Sequence, residues 1–535
     1  MPKCTAPQCR YTVAFVLFLY LNLNYMIRVD INITLLSMVN DTSDRSLERN
    51  LTTVCGTKSV VDRSQKHSTG TYLWSRPIQG LILGAFFWGY IVVQIPGGLL
   101  AHYFGPRWLG MVCILGSGVA DMCLPSAAKL GWITTIVCRM VQGIFQGPMM
   151  PISACLIGRW VPPNERSRYT AFVYAGVQVG TVIGQSVSGA LSQVREVIDH
   201  ETDLIEYVSY WPYVHYLFGA LSLLLSLIWL FTVHDEPDLH PHITSAEREY
   251  LHLSLAHEAD PSSTTKATQP PPANEKVDAE RPINDKKISQ TPVNEVDRLA
   301  VRSKKEPVPW RQILTSLPVW AIMICHVTYN WSWYSLITCM PTYMARVLGF
   351  DLFDNGLLSS IPYVVQCMIA LVVAQTSDLL IARHVFSVTW VRKLNNLIAL
   401  SGVGAGLLAV GSIGCQRVAA VCLLTTSIGL LGFSSSGYSA NTVDLAPKFA
   451  GNIISVTNTL ATFPGIFGPM LVGYITRDSS SVENWRIIFG VSTALAWFGA
   501  LVNLILTSGE VQPWAQPSLL AEQEKPDQKS STTDK

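Results

Sequence analysis

Charged residues are scarce in this sequence. Only 14% of its 535 residues are Asp, Glu, Lys or Arg, whereas soluble domains usually contain about 25%. Together with 49% apolar residues, this scarcity argues against an ordinary soluble domain and indicates a chain that crosses a lipid bilayer several times. The formal net charge is +1, and no basic stripe interleaved with aromatic residues occurs. Nucleic acid is therefore not expected as a partner.

The sequence also lacks the motifs of common catalytic and metal sites. It contains no HExxH, GxSxG or GxxxxGK pattern and no CxxC pair, and its 12 cysteines are scattered, most of them in apolar runs. We therefore predict no enzymatic activity, no catalytic residue, no cofactor, no metal site and no disulfide framework. A receptor or scaffold with many spans remains the alternative to a transporter.

An arginine and an aspartate interrupt the first long apolar run, residues 11–39. An arginine at membrane depth costs roughly 2.5–3.5 kcal/mol on insertion scales, so it usually faces a polar cavity or an ion partner. We expect Arg28 to line a solute path. The alternatives are an interaction with Asp30 or snorkelling to the nearer interface, but residues two apart on a helix do not face one another.

The apolar runs form two groups of six, separated by a polar linker. They lie near residues 11–39, 80–100, 109–127, 132–157, 169–191, 213–233, 317–340, 357–375, 397–413, 418–438, 453–475 and 487–506. This layout predicts an all-α polytopic membrane protein of twelve transmembrane helices in two six-helix bundles, which is typical of the major facilitator fold. The predicted bundles are residues 1–233 and 310–508, and residues 509–535 are predicted to be a cytosolic tail.

Residues 234–309 differ in composition from the rest of the chain. They contain a PPP run, many Lys, Glu, Asp and Ser, and few aromatic residues, so they bury too little apolar surface to fold alone. We predict a disordered cytosolic linker. Thr244 and Glu247 form a capping-box pattern, which predicts a short helix near its beginning.

Two glycosylation sequons, at Asn40 (NDT) and Asn50 (NLT), lie in the polar loop 40–76. Because glycans are added on the lumenal side, they predict that this loop lies in the lumen or outside the cell. The positive-inside rule disagrees, because the loop is basic. The arginines of later loops, such as Arg159 and Arg383, agree with the sequons, and we predict a cytosolic amino terminus.

Polar residues and helix breakers also cluster in the fourth and fifth runs. The fourth contains Arg139, followed by Gln142, Gln146 and several glycines and prolines, a combination found at transporter binding sites. The fifth contains glycines at 176, 180 and 184, and this four-residue spacing predicts close helix packing.

Four short stretches resemble the anion:cation symporter family, which includes the sialin, vesicular glutamate, vesicular nucleotide and type I sodium-phosphate branches. They are residues 84–98 (GAFFWGYIVVQIPGG), 160–167 (WVPPNERS), 341–344 (PTYM) and 509–514 (GEVQPW). The resemblance runs from about residue 10 to residue 514, except for the linker. The second half is most similar to the sialin branch, through residues 308–310 (VPW), 317–322 (LPVWAI), His326 and 329–331 (YNW).

The resemblance implies a secondary transporter of small organic anions, with Arg28 and Arg139 at the positions of the two substrate-region arginines. Leu83 and Tyr329 replace a histidine and an arginine that are typical of vesicular glutamate transporters, which argues against that branch. Gln142 and Gln146 replace two sialin glutamates, as in the phosphate branch.

The residue types at these positions favour an acidic solute. A buried guanidinium stays charged and offers a planar fork to two oxygens, so the arginine pair suits a carboxylate. Tyr25 shares a helix face with Arg28 and is predicted to bind the solute, with ordinary packing as the alternative. Tyr329, Ser435 and Asn441 are further predicted binding residues, although small polar residues also serve helix packing.

The expected activity is proton-coupled export of sialic acid or related acidic sugars from a lysosome or another acidic vesicle. His326 is the predicted proton acceptor, because histidine changes charge near acidic pH. A neutral histidine bonded to a helix carbonyl is the alternative. Transport driven by membrane potential or sodium, phosphate or an anionic transmitter as solute, and a plasma-membrane location also remain open.

Overall fold

Helices make up most of the chain in the computed structural model, which describes residues 9–40, 70–162, 165–198, 205–259 and 308–515. Asn50, residues 260–307 of the linker and residues 516–535 of the tail lie outside the described residues. Within the described residues, nine helical segments are long and apolar enough to cross a membrane.

The first half contains a helix or a pair of helices at each of the six predicted apolar runs. Its helices are α1 (Cys9–Val29), α2 (Ile31–Met38), α3 (Arg76–Tyr103), α4 (Pro106–Leu130), α5 (Trp132–Gln146), α6 (Met149–Trp160), α7 (Arg166–Ser192) and α8 (Trp211–Thr232). The first span consists of α1 and α2, and the fourth consists of α5 and α6. An antiparallel hairpin of β1 (Val194–Ile198) and β2 (Ile205–Ser209) joins α7 to α8 and adds a small element to the predicted all-α fold.

The second half repeats this layout after a short linker helix. The linker contains α9 (Ser245–Ala259), and α10 (Trp310–Thr315) precedes the second bundle. The bundle helices are α11 (Leu317–Arg346), α12 (Leu352–Ala382), α13 (Val388–Ser412), α14 (Arg417–Leu430), α15 (Tyr438–Leu445), α16 (Ala450–Leu460), α17 (Phe463–Ile475) and α18 (Val482–Leu506). A 3-10 segment connects α14 to α15, and two residues, Ala461 and Thr462, separate α16 from α17, so both pairs act as interrupted spans.

The predicted glycine face of α7 packs directly on α1. A Cβ atom on Gly176 would lie 2.5 Å from the Phe18 carbonyl oxygen, and one on Gly180 would lie 2.1 Å from that of Asn22. Both distances are shorter than any normal contact, so the two backbones approach closely only because these residues lack side chains. The prediction of close packing is confirmed, and α1 and α7 run parallel.

The two bundles contact each other on the side where Asn40 and Arg76 lie, which we call the outer side. Gly80 of α3 packs against Pro469 of α17, where an added Cβ would lie 2.4 Å from the proline carbonyl oxygen. Gly189 near the end of α7 packs against the first turn of α12 in the same way. The Arg346 guanidinium also donates to the Gln79 side chain at 3.3 Å. The outer ends of the bundles are therefore closed against each other.

The beginning of the linker is ordered, in contrast to the predicted disorder from residue 234. Half of the predicted capping box is present, because the Glu247 amide donates to the Thr244 hydroxyl at 3.2 Å. The Glu247 carboxylate in turn accepts from the amides of Cys9 and Arg10 at 3.0 and 3.1 Å. Composition alone predicted disorder because it does not include this contact with the start of α1.

Replacing Glu247 by alanine is expected to loosen this end of α1. The carboxylate satisfies two of the amides that a helix leaves unpaired at its N-terminus, and losing it costs about 1–3 kcal/mol. Hydrogen exchange of the amides of residues 9–13 should accelerate roughly tenfold or more. Glu249→Ala is the matched control, because Glu249 is exposed on the same helix. Equal exchange in both variants would contradict the capping role.

One disulfide was not predicted from the sequence. Cys415, in the outer loop between α13 and α14, is disulfide-bonded. The nine cysteines described in the spans and at their ends, including Cys113 and Cys325, are free. The cysteine pattern contained no signal for this bond, because the two sulfurs are brought together by the tertiary fold.

Candidate solute-binding site

The arginine pair, Arg28 and Arg139, lies buried in the first bundle, with exposed fractions of 4% and 2%. Arg28 donates to the Tyr25 hydroxyl at 3.1 Å and to the Gln146 side-chain oxygen at 3.4 Å. Arg139 donates to the Gln142 side-chain oxygen at 2.8 Å and to the Arg28 carbonyl oxygen at 3.3 Å. The pair predicted from the sequence is therefore one continuous polar group.

Aromatic rings cover both guanidinium groups. The Arg28 guanidinium carbon lies 4.4, 4.6 and 4.9 Å from the ring centres of Tyr25, Phe86 and Tyr90, and that of Arg139 lies 5.3 Å from Phe86. Cation–π contacts stabilise a desolvated guanidinium by about 2 kcal/mol. These rings hold the charges in a buried site without neutralising them.

The close crossing of α3 and α5 positions Arg139 beside Phe86. A Cβ atom on Gly143 would lie 2.0 Å from the Phe86 carbonyl oxygen, and one on Gly89 would lie 1.9 Å from that of Met140. The two glycines allow the helix backbones to touch. The side chain of Arg139 then reaches across to the first span.

The first span is interrupted next to Arg28. The Asp30 carboxylate accepts a hydrogen bond from the backbone amide of Ile31 and so competes with the helix ladder, which separates α1 from α2. This break leaves the Arg28 carbonyl oxygen to accept from Arg139. Asp30 itself contacts His215 and not Arg28, so the predicted alternative of an Arg28–Asp30 interaction has no support in this geometry.

The second bundle contributes an aromatic wall that faces the arginine pair. Trp333 of α11 packs edge-on against Tyr25 at a ring-centre distance of 5.9 Å. Its indole nitrogen donates to the Gln366 side-chain oxygen at 3.3 Å, and the Gln366 amide donates to the Tyr329 hydroxyl at 3.1 Å. Tyr329 is thus connected to Tyr25 through two intervening side chains. Residues from both bundles meet at this point.

The remaining predicted residues lie farther along the second bundle. His326 is partly buried, with its ring centre 4.8 Å from that of Tyr438 and its Nδ1 atom 3.3 Å from the Thr457 hydroxyl oxygen. Asn441 is fully buried, and neither atom of its side-chain amide has a hydrogen-bond partner among the described residues. Ser435 is exposed, and its hydroxyl donates to the Gly432 carbonyl oxygen. The structure does not bring Ser435 to the arginine pair.

Sequence reasoning missed two buried ionisable residues of the same bundle, Asp121 of α4 and His215 of α8. Both are fully buried, and the His215 Nδ1 atom lies 3.0 Å from Asp121 Oδ1 and 3.2 Å from Asp30 Oδ2. The sequence did contain a signal for both residues, because an ionisable residue inside an apolar run is by default read as functional. The rule that identified Arg28 applies equally to these two positions.

The arrangement is suited to binding an anion. The Nε atoms of both arginines are buried and have no hydrogen-bond partner among the described residues. A buried cation with free donors gains most from an anion that brings oxygens to them. The site therefore provides two positive charges, unused donors and an aromatic wall shared by the two bundles.

A family model described as Major Facilitator Superfamily matches residues 13–469. The chain belongs to the major facilitator superfamily. It is 36% identical to human sialin over 515 residues, which cover 95% of this chain and 92% of sialin. A putative inorganic phosphate cotransporter of Drosophila melanogaster is 33% identical, with 95% of this chain and 86% of the relative covered. Bovine vesicular glutamate transporter 1 is 29% identical, with coverage of 96% and 80%.

These relatives confirm the predicted resemblance to the anion:cation symporter family and its sialin branch. Solved structures confirm the fold. A bacterial homologue of the human lysosomal transporter Spinster aligns with a TM-score of 0.63 at 15% identity, covering 95% of this chain and all of the other. The crystal structure of a D-xylose-proton symporter aligns with a TM-score of 0.59 at 14% identity, with coverage of 94% and 99%. This major facilitator protein is a multi-pass membrane transporter and not an enzyme.

Proposed function

We propose that this sialin-like protein is a secondary active transporter of organic anions and that it moves sialic acid or related acidic sugars together with protons. The observation that carries the proposal is the arginine pair, buried beneath aromatic rings where the two bundles meet. Transport requires a site that both bundles can expose in turn, and a site at their interface meets that requirement.

The polar residues around the pair favour a hydroxylated monoanion. Tyr25 and Gln146 already contact Arg28, and Gln366 lies behind Trp333 in the opposite bundle. Such amide and hydroxyl groups can donate to and accept from sugar hydroxyls, whereas the guanidinium groups pair with the carboxylate. The side-chain amide of Asn441, which has no hydrogen-bond partner among the residues that the structure describes, is a further candidate for a solute hydroxyl.

Uptake into proteoliposomes tests the proposal. The purified full-length chain is compared with empty liposomes for uptake of labelled N-acetylneuraminate, glucuronate, glutamate, urate and phosphate under an inward proton gradient. We expect N-acetylneuraminate or glucuronate to be transported best. Uptake of none of the five anions above empty liposomes would contradict the proposed function.

Phosphate is the second candidate solute, because of the fourth span. Gln142 and Gln146 stand where the sialin branch has glutamates, and the phosphate cotransporter relatives are nearly as similar to the chain as sialin is. Two guanidinium groups bind the oxygens of a phosphate as well as those of a carboxylate. Preferential phosphate uptake in the same assay, driven by a sodium gradient, would identify this function.

The proposed location is a lysosomal or other acidic vesicle membrane, with the outer side in the lumen. The disulfide of Cys415 on that side supports an oxidising compartment there. The alternative location is the plasma membrane. There the protein would have the same orientation, with its outer side facing the cell exterior. Tagged protein found only at the cell surface would overturn the vesicular location.

Glycosylation provides a direct test of the orientation. Asn40 is partly buried, and its backbone amide donates to the Tyr72 carbonyl oxygen at 2.9 Å. In cells, the wild-type protein is expected to lose apparent mass on treatment with peptide N-glycosidase, and Asn40→Gln combined with Asn50→Gln should abolish that shift. An unshifted wild-type protein would place the 40–76 loop in the cytosol.

A further inference from the structure

We propose that the coupling proton is held by the acid–histidine cluster, which we define as Asp30, Asp121 and His215. This inference rests on the proposed function and specifies its coupling site. One polar atom of each residue lies within 4.8 Å of the others, and all three side chains are fully buried. They come from three different spans, so the fold and not local sequence assembles the cluster.

The geometry of His215 suits a proton acceptor. Its Nδ1 atom lies between oxygens of the two carboxylates, which when ionised can only accept, so this nitrogen carries a hydrogen. Its Nε2 atom lies 3.2 Å from the Thr34 hydroxyl oxygen. A hydroxyl both donates and accepts, so Thr34 can satisfy neutral and protonated imidazole alike. The cluster can therefore gain and lose one proton without losing a hydrogen bond.

A hydrogen-bond chain joins the cluster to the solute site. The Gln142 amide donates to Asp121 Oδ1 at 2.9 Å, and the Gln142 side-chain oxygen accepts from Arg139 at 2.8 Å. Gln142 occupies one of the positions where sialin has a glutamate. The Gln142 amide does not titrate. It connects Arg139, which belongs to the proposed solute site, to the Asp121 carboxylate, which can take up a proton.

The charges near the cluster explain why a proton and an anion would bind together. Among the described residues, Arg139 of α5 interacts with both carboxylates of the cluster, and the nearby Cys138 thiol donates to the Ala120 carbonyl oxygen. Arg28 lies next to Arg139 in the arginine pair, because Arg139 donates to its carbonyl oxygen. The charges of the two arginines and the two ionised aspartates sum to zero when the histidine is neutral. A proton alone or a monoanion alone leaves one uncompensated buried charge, which is costly, whereas both together restore neutrality. Each ligand therefore raises the affinity for the other.

His326 lacks comparable surroundings. Its contacts are the Tyr438 ring and the Thr457 hydroxyl, without a carboxylate among the contacts described for it. A proton there would add a positive charge with no nearby acid to compensate it. The cluster is thus the better site for the proton that the sequence assigned to His326.

Two assays on the same proteoliposomes separate coupling from solute binding. Counterflow at equal pH on both sides exchanges labelled for unlabelled N-acetylneuraminate and needs no net proton movement. Accumulation under an inward proton gradient, with the voltage clamped at zero by potassium and a potassium ionophore, requires coupling. The variants are Asp121→Asn and His215→Gln, with His326→Gln and Ser117→Ala as controls. Ser117 is a buried residue on the same helix as Asp121.

Asp121→Asn and His215→Gln are expected to keep counterflow within about threefold of wild type while gradient-driven accumulation falls about tenfold or more. The two control variants should keep both activities. Asp121→Glu, which retains the acid, should accumulate solute with a shifted pH dependence. Unchanged accumulation in Asp121→Asn and His215→Gln, or its loss in His326→Gln alone, would overturn the proposal, as would accumulation that follows a sodium gradient at constant pH.

A measurement on the wild-type protein tests the proposal without variants, which could fail to fold. The protein in detergent and weak buffer is mixed with N-acetylneuraminate, and proton uptake is followed with a pH indicator. About one proton per anion bound is expected, because neutrality requires one for one. Anion binding without proton uptake would overturn the proposal. Absence of both counterflow and binding would instead contradict the proposed function.

Discussion

Replacing either Arg28 or Arg139 by alanine is expected to abolish uptake of the transported anion. Each guanidinium is buried beneath aromatic rings and has an Nε atom without a partner in the described part of the chain, so each is available to the solute. Removing one member of a buried charge pair costs about 2–5 kcal/mol, which corresponds to at least ~30-fold lower affinity for the anion. Initial uptake rates at a fixed solute concentration measure the loss.

Replacing Arg28 or Arg139 by lysine should restore little of the uptake that the alanine variants lose. An ammonium lacks the planar fork and does not stack flat on the Phe86 ring, although it keeps the positive charge. Arg311→Ala is the control, because Arg311 is an exposed arginine at the edge of the second bundle. Uptake retained by either alanine variant, at normal amounts of inserted protein, would contradict a two-arginine site.

Replacing Gly80 by leucine is expected to prevent closure of the outer side. The first side-chain carbon would already lie 2.4 Å from the Pro469 carbonyl oxygen, so α3 and α17 must separate. Overpacking of this kind costs about 1–3 kcal/mol, and such a penalty on one of two conformations shifts their populations by about 5–150-fold. Because transport requires both conformations, the uptake rate should fall by a similar factor.

A cysteine introduced at Ser480 reports the conformation. Ser480 accepts a hydrogen bond from Arg76 on the outer side, so it becomes more accessible when the bundles separate there. Alkylation of this cysteine by an impermeant maleimide should be faster when Ser480→Cys is combined with Gly80→Leu than in Ser480→Cys alone. Gly158→Leu is the matched control, because a Cβ at residue 158 meets nothing within 4 Å. Normal uptake with unchanged alkylation in Gly80→Leu would show that the outer contact does not control transport.

Much of the fold was predictable because membrane insertion imposes simple physical rules. Apolar runs of suitable length must be helices, since a bilayer leaves no other way to satisfy backbone hydrogen bonds over a single run. Two groups of six such runs, with a polar linker between them, therefore indicated the two-bundle architecture. The glycine spacing of α7 likewise predicted a close helix contact, because close backbone approach depends on local sequence, and the structure shows that α1 is the partner.

The candidate site was predictable only in part. Arg28 and Arg139 were identified because a buried charge is costly and so stands out in an apolar run. Their meeting depends on Gly89 and Gly143, which let α3 touch α5 and bring the Phe86 ring to both guanidinium groups. Ser435, predicted from residue type alone, is exposed instead. A hydroxyl is common to binding and packing, so composition does not distinguish the two.

The class of protein, the number of spans and the two arginines could be inferred without a structure, because each follows from the cost of placing polar groups in hydrocarbon. Which acids and bases meet depends instead on how the helices pack. Asp30, Asp121 and His215 are separated by about ninety residues from one to the next, and only the packing of α4 and α8 around the first span brings their atoms within hydrogen-bonding distance. Electrostatic interaction depends on distance in space, which single-residue patterns do not contain.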